Sequence, residues 1–498
     1  MNTNLINLIF GIKIRQARNE AGLSLSAFAE QSDISPSYVT EIEKGKKYPR
    51  TDKILKMANV LEKDYDELVS VKLDPSLKYL ETVVSSPLLH QFPFEEFGMQ
   101  LSDLIKPFTR APERASSFLH SLINLGRQYD MKKEYFLLGA MRSYQEIHEN
   151  FFPDLEDAAK EFATQHNLDQ ALPVNLPDLL EILQRSFGYR IDETRLENNQ
   201  TLSIYRSVYM EGKQPTLFLN SLLQPRQIKF IIARELGYSA LNITERSTTS
   251  TPNQFNSFQQ ILNDFRAAYF GGALLMPRSV LIDDIQAFFD HPTWDEQQLH
   301  AMLTHFDVTP EMLFYRFSEV IPEHFGLKLH FLRFLYANDD YRLVKHLHMN
   351  NLMSPSGIGL HEHHCRRWLT VRLLKNLALE DKSKKRIETP LVAVQKSEIL
   401  GSEEAFLCLG FARPLVLQMD MGSSVVIGFQ YTPLLGRTIK FLDDIEIPTV
   451  VINETCERCP LDQDQCTERA APPTILEEQA IQIERKVNLQ QLLAELKI

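Results

Sequence analysis

Apolar positions along the chain change their spacing several times, and the changes mark out its elements. Through residues 1–71 they recur at helical spacing, in short runs broken by tight turns. The clearest run is "SLSAFAEQSDISPSYVTEIEKGKKYPR", Ser24 to Arg50. Ser24 predicts an N-cap for a helix that buries Leu25, Phe28 and Ala29. Ser35 predicts a second N-cap, with Pro36 at the first helical position, where its missing N–H costs nothing. Val39 and Ile42 then face inward. Ser37, Tyr38, Thr40 and Glu41 are left outward, followed by Lys44, Lys46, Lys47 and Arg50.

The proline of "KLDPS" ends that pattern. Residues 72–150 read as a helical linker region with aromatic-rich amphipathic stretches such as "YFLLGAMRSYQEIHENF". Residues 151–350 are mixed. There "TLFLN" predicts a strand, "PRQIKFIIARELGYSAL" a long helix and "ERSTTSTPNQFNS" a polar loop. "NLMSPSGIGL" predicts a boundary, and residues 351–498 form a last domain with strand-like runs such as "EAFLCLGFARPLVLQM" and "SSVVIGFQYTPL". The segment from Ile475 to Ile498 reads as an amphipathic helix packed on its own domain. The expected fold is multidomain, mainly α with α+β parts.

Bulk properties narrow the classes. A chain of 498 residues exceeds one hydrophobic core. Hydrophobic content of 44% and charged content of 24% suit an ordinary globular protein. A net charge of −12 excludes coating nucleic acid with the whole surface, but leaves room for one small DNA-reading domain. The N-terminus shows neither a cationic start nor a cleavage site, and no apolar run approaches membrane-spanning length, so a cytoplasmic protein is expected.

The Ser24–Arg50 pattern has the geometry of a helix-turn-helix. Its second helix offers polar side chains to the major groove, and the nearby lysines meet phosphates. It resembles the XRE (lambda-repressor-like) family. That resemblance implies duplex DNA as partner and binding as a homodimer. The candidate DNA-binding residues are Ser35, Pro36, Ser37, Tyr38, Thr40, Glu41, Lys44, Lys46 and Lys47.

"IIARELGYSALN" has the shape of an H-E-x-x-H helix, in which histidines four apart share one face and the glutamate activates water. Here Arg234 and Tyr238 flank Glu235 at those positions. "FLNSLLQPRQIKFIIARELGY" and "DFRAAYFGGALLMP" resemble the ImmA/IrrE family, and alignment to it places Arg266 at the third ligand position. An arginine cannot ligate Zn²⁺ and repels it, so a zincin-like α+β domain without metal-dependent hydrolysis is expected. Two readings follow. Either the fold is kept for structure, with Glu235 paired to Arg266 or Arg234, or the cleft is reused for an anionic ligand with an apolar part. In the second, Arg234, Glu235, Tyr238 and Arg266 are the candidate ligand-binding residues.

"CERCPLDQDQCTERAAPP" supplies Cys456, Cys459 and Cys466. A C-x-x-C lets two thiolates reach one ion, and "HEHHCRRW" offers Cys365 as a fourth ligand, with His361 and His364 as rivals. A closed zinc site of this kind is structural, and an iron–sulfur cluster is the alternative. Cys408, inside an apolar run, reads as a core residue.

The order of these parts resembles the short-chain fatty acyl transcriptional regulator family, over almost the full length. That resemblance implies a transcription factor that senses an acyl-CoA or related acyl metabolite. The competing functions are a divergent metallopeptidase or anti-repressor acting on a partner repressor, and a non-catalytic interaction protein. The missing ligands weigh against the enzyme.

Overall fold

The computed structural model describes residues 3–70, 93–99, 121, 132–199, 201–250, 255–337, 340–350, 362–382, 389–418 and 421–495. The chain divides into two compact units, Met1–Ala140 and Met141–Ile498. Most of the linker region expected over 72–150 lies outside the described residues.

The first unit opens with α1 (Thr3–Glu20), α2 (Leu25–Gln31), α3 (Pro36–Glu43), α4 (Thr51–Val60) and α5 (Tyr65–Val69). The Ser24 hydroxyl accepts the Ala27 N–H at 3.1 Å, and the Ser35 hydroxyl accepts the Tyr38 N–H at 3.3 Å, so both predicted caps form. Phe28, Ala29, Val39 and Ile42 are fully buried, while Leu25 is half-buried at the edge of the same core. A Cβ on Gly11 would lie 2.2 Å from the Ile42 carbonyl oxygen, so α1 and α3 cross with their backbones nearly touching. Arg18 clamps that crossing through two bonds to the Glu43 carboxylate, at 2.6 and 3.1 Å.

The next helices are α6 (Lys133–Ile147), α7 (Pro153–Gln165) and α8 (Leu176–Arg185). They are followed by strands β1 (Arg190–Asp192), β2 (Ser207–Met210) and β3 (Thr216–Leu219). In this small sheet β3 is central, parallel to β1 and antiparallel to β2. Next come α9 (Pro225–Ala240), α10 (Phe258–Leu275), α11 (Arg278–Phe289), α12 (Glu296–His305) and α13 (Pro310–Phe325). The Gln224 N–H donates to the Gln227 side chain at 3.1 Å and Pro225 starts α9, as its sequence predicts.

A six-stranded sheet has the order β5-β4-β8-β7-β6-β9. Its strands are β4 (Leu329–Ala337), β5 (Asp340–His348), β6 (Leu391–Ile399), β7 (Ala405–Pro414), β8 (Gly422–Gln430) and β9 (Thr449–Ile452). Pairing is antiparallel except between β6 and β9. Phe331, Phe411, Ile427 and Phe429 join the core of the helices, and α14 (Leu369–Lys382) covers the opposite face with Val371, Leu373 and Leu374. Between β8 and β9 lies α15 (Pro433–Thr438), and α16 (Thr474–Glu495) closes the described chain.

Two expectations differ from this architecture. The boundary segment "NLMSPSGIGL" lies outside the described residues, but the sheet runs across it. β4 pairs with β8 from beyond that segment, because its apolar residues point to both faces and need cover on each side. The terminal helix does not pack on its own domain: residues 477–494 are all exposed. Ile481, Ile483, Val487, Leu489 and Leu492 are spread around the helix, so no single stripe can be buried.

Candidate functional site

On α3, Ser35, Pro36 and Ser37 are exposed, and Tyr38, Thr40 and Glu41 are half-exposed. Thr40 donates its hydroxyl back to the Pro36 carbonyl at 2.9 Å. Glu41 stands 3.7 Å from Lys47. Lys44, Lys46 and Lys47 are exposed beyond the helix end. Lys53, from α4, lies 4.2 Å from the centre of the Tyr38 ring, so it joins the cationic rim that the sequence placed only on the turn. Polar groups over a basic rim make a surface suited to a groove and its phosphates.

In the second unit, α9 and α10 cross at glycine. A Cβ on Gly237 would lie 2.7 Å from the Ala267 carbonyl oxygen, and one on Gly271 3.0 Å from the Arg234 nitrogen. That closeness brings Glu235, fully buried, beneath the loop that follows α9. Arg246 on that loop donates to Glu235 Oε1 at 2.7 Å. Its guanidinium lies 3.7 Å from the Tyr238 ring centre and 3.8 Å from that of Tyr209. Burial alone would lower the Arg246 pKa, but the Glu235 charge and hydrogen bond, together with Tyr238 and Tyr189, outweigh it and the net shift is upward. Tyr238 donates its hydroxyl to Asp264 at 2.7 Å, and burial raises its phenol strongly.

The expected quartet is therefore only partly assembled. Arg234, Glu235 and Tyr238 are neighbours on α9, with Arg234 3.8 Å from Glu235. Arg266 is elsewhere: it points away to Asp154, 3.2 Å distant on a solvent-exposed side. Glu235 pairs chiefly with Arg246, and the acid beside Tyr238 is Asp264. Alignment by the α10 motif missed both, because Arg246 comes from an irregular loop and Asp264 stands two residues before Arg266.

One turn N-terminal along α9, Gln227, Phe230 and Ile231 face a separate cavity of about 230 Å³. Met276, Met312 and Phe331 add apolar wall. Arg206, Arg316, Arg333, Lys345 and Arg413 line it, against Glu311 and Glu319. Arg316 donates to both oxygens of Glu156, at 2.7 and 2.8 Å, and to Glu319 at 2.9 Å. Arg413 holds Glu311 at 2.8–3.1 Å. Arg206, Arg333 and Lys345 are left without an ion-pair partner among the described residues. Burial, then the neighbouring Arg333, lowers Arg206 to about 10. Burial against the opposing pull of Arg413 and Arg333 leaves the Glu311 carboxyl at about 2. The convergence of these residues from four elements and a loop hides them in the sequence. Their signal was a lone cation inside an apolar strand, as in "HFLRFL" and "LGFARPL".

Cys365, Cys456, Cys459 and Cys466 are all buried. The backbone joins their two segments: Cys365 N–H donates to the Glu454 carbonyl at 3.1 Å, and Cys456 N–H to that of His363 at 2.9 Å. Burial raises the Cys365 thiol, and Cys456 and Cys459 push it further up, against lowering hydrogen bonds from Asn453 and Arg367. The donor types fit a soft cation. Among the described residues, however, no three His, Cys, Asp or Glu side chains are gathered as an ion requires. His364 packs edge-on against Phe334, ring centres 5.0 Å apart, and His361 lies outside the described residues. Cys408 is a core thiol pushed by burial to about 12.

Comparison with known proteins fits this geometry in two places. Residues 14–68 match a helix-turn-helix model, and residues 184–318 match an IrrE N-terminal-like domain. The chain carries both domains. The first supports a DNA-binding regulator, and the second contains Glu235, Tyr238 and Arg246. No curated protein matches the chain. Among solved structures, the chain is similar to a Mycobacterium tuberculosis transcriptional regulator, with 16% identity, a TM-score of 0.44, and coverage of 66% of this chain and 92% of that one. No helix among the described residues is long and apolar enough to cross a membrane.

Proposed function

We propose that this chain is a cytoplasmic, homodimeric transcriptional regulator whose IrrE-like part senses an acyl-CoA or related anionic acyl metabolite without hydrolysing it. The observation that carries the reading is the cavity beside α9, where Arg206, Arg333 and Lys345 exceed the local carboxylates next to an apolar wall. Uncompensated cations there favour an anion, and the apolar wall favours an attached hydrocarbon. The volume suits a short acyl group and its head, with a nucleotide left outside. Arg246 takes the place beside Glu235 that an ion would need, which argues against peptidase chemistry. The ligand site therefore lies one turn from Arg234 and Glu235, with Arg266 outside it. The four cysteines are assigned to a structural zinc, with Cys365, Cys456, Cys459 and Cys466 as ligands. Bound there, zinc would tie together two chain segments distant in sequence.

Calorimetry with a panel of acyl-CoAs tests the sensor. The wild type binds a short-chain member, Arg206→Ala with Arg333→Ala binds at least about tenfold more weakly, and Arg266→Ala is unchanged. Absence of binding by the wild type, or equal binding by the folded double variant, sinks the reading.

A further inference from the structure

One cation of the cavity, Lys345, offers a nucleophile as well as a charge. Lys345 lies on β5, opposite Arg333 in the register with β4. Its side chain is exposed and forms part of the cavity wall. The Nζ stands 3.4 Å from the centre of the Tyr315 ring. Gln145 donates to the Tyr315 hydroxyl at 2.6 Å and fixes that ring. No carboxylate among the described residues forms an ion pair with Lys345. Glu319, which acts on it at longer range, is bonded to Arg316 instead. The amine is thus accessible, held in place, and set among the cations Arg206, Arg333, Arg316 and Arg413, with Glu311 and Glu319 as the facing acids.

We propose that Lys345 is an acyl-acceptor nucleophile that takes the acyl group from a short-chain thioester bound in the cavity. This rests on the ligand reading above. The amine lone pair attacks the thioester carbonyl carbon, and the neighbouring guanidinium groups face the oxygen as it becomes negative. The C–S bond then breaks, and the thiolate leaves and takes up the proton lost by nitrogen. The products are an N-acyl-lysine and a free thiol, with no change of oxidation state. Desolvation by the protein packed around the amine, then repulsion from Arg333, lowers it below the usual lysine range, toward about 7, which favours the unprotonated form. Acylation removes that titrating charge from the cavity and leaves the chain in a form that free ligand exchange cannot reverse. The effector would then act as a recorded event rather than a passing occupancy.

The test uses the full chain and propionyl-CoA, read by intact mass and peptide mapping between about pH 6 and 8.5, an interval that brackets the titration of such an amine. A propionyl mass appears on Lys345, faster as pH rises through 7, and is absent from that position in Lys345→Arg. A second probe needs no thioester site: limiting 2,4,6-trinitrobenzenesulfonate, an anionic amine reagent, labels Lys345 about tenfold or more faster than surface lysines. Arg333→Met relieves the repulsion and slows both reactions at pH 7. Calorimetric binding of propionyl-CoA with no adduct on Lys345 overturns the proposal and leaves the ligand reading standing. Fast trinitrophenyl labelling without any propionyl-CoA binding removes the ligand reading and, with it, the acyl donor. Labelling no faster than at surface lysines overturns the nucleophile itself.

Discussion

Arg246 places its guanidinium 2.7 Å from Glu235 and 3.7 Å from the centre of the Tyr238 ring, so a side chain supplies the positive charge at the heart of the α9 motif. The second oxygen of Glu235, Oε2, is buried with no hydrogen-bond partner among the described residues, so this pair is the acid's main compensation.

Removing one half of that pair should be costly. Arg246→Met leaves Glu235 buried with only Arg234, 3.8 Å away, to offset its charge, at an expected loss of about 3 kcal/mol in urea unfolding. Arg234→Met, whose nitrogen stands 3.8 Å from Glu235, costs less. Converting both Glu235 and Arg246 to apolar residues recovers part of the loss. An Arg246→Met variant as stable as wild type would show that the pair does not hold the motif.

Anion binding in the cavity should weaken as pH rises through 7. The Lys345 amine, lowered to about 7, gives up its proton, and the Glu319 carboxyl, raised by burial to about 7, gains its charge over the same interval. Both changes make the cavity less positive. Glu319 also stabilises the fold most fully below the ordinary carboxylate range, and that contribution is lost as pH rises toward 7. Calorimetry at pH 6 and pH 8 reads the affinity change, and Lys345→Met should flatten it. Affinity that is constant or rises with pH contradicts the assignment.

Metal content separates the cysteine segment from α9. Elemental analysis of the full chain should give about one zinc per chain, the amount one closed site holds. Cys456→Ser and Cys459→Ser should lose it, and Glu235→Gln should keep it. Iron in its place would reassign the site to an iron–sulfur cluster.

The DNA reader should divide into two kinds of residue. Replacing Thr40 and Glu41 with Ala should reduce the preference for a specific operator more than binding to random duplex. Replacing Lys46 and Lys47 should weaken both. The slope of log affinity against log salt should then become shallower by about 0.9 for each phosphate no longer neutralised. An unchanged footprint from the Thr40, Glu41 variant would remove α3 from the groove.

The reader was legible because its signals are local: a cap serves its own helix, and the spacing of Leu25 to Phe28 on α2 and of Val39 to Ile42 on α3 reports the inward face of each. The α9 helix was legible as a shape for the same reason. Its chemistry was not, because Arg246 reaches Glu235 from a loop with no periodicity, and Asp264 and Arg266 differ by about half a helical turn in the face they present. The cavity was least legible. Arg206, Glu311, Arg333, Lys345 and Arg413 meet only once α13, three strands of the large sheet and the segment before β2 have packed, and Arg206, Glu311 and Lys345 each alone resemble a surface charge. The exposed α16 shows the converse error: amphipathic composition suggested a buried face, but its apolar residues share no stripe.

Strand β9 is four residues long, and it closes one edge of the six-stranded sheet by pairing with the last residues of β6. Four residues after it comes Cys456, so the cysteine segment is also the anchor of that edge. If the anchor is lost, β9 has little of its own to keep it paired, and the "KSEI" end of β6 offers unused N–H and C=O groups to any passing chain. Oxidative damage to these thiols would then appear first as turbidity on storage, with β6 as the seed of intermolecular strand addition, before any defect in operator recognition.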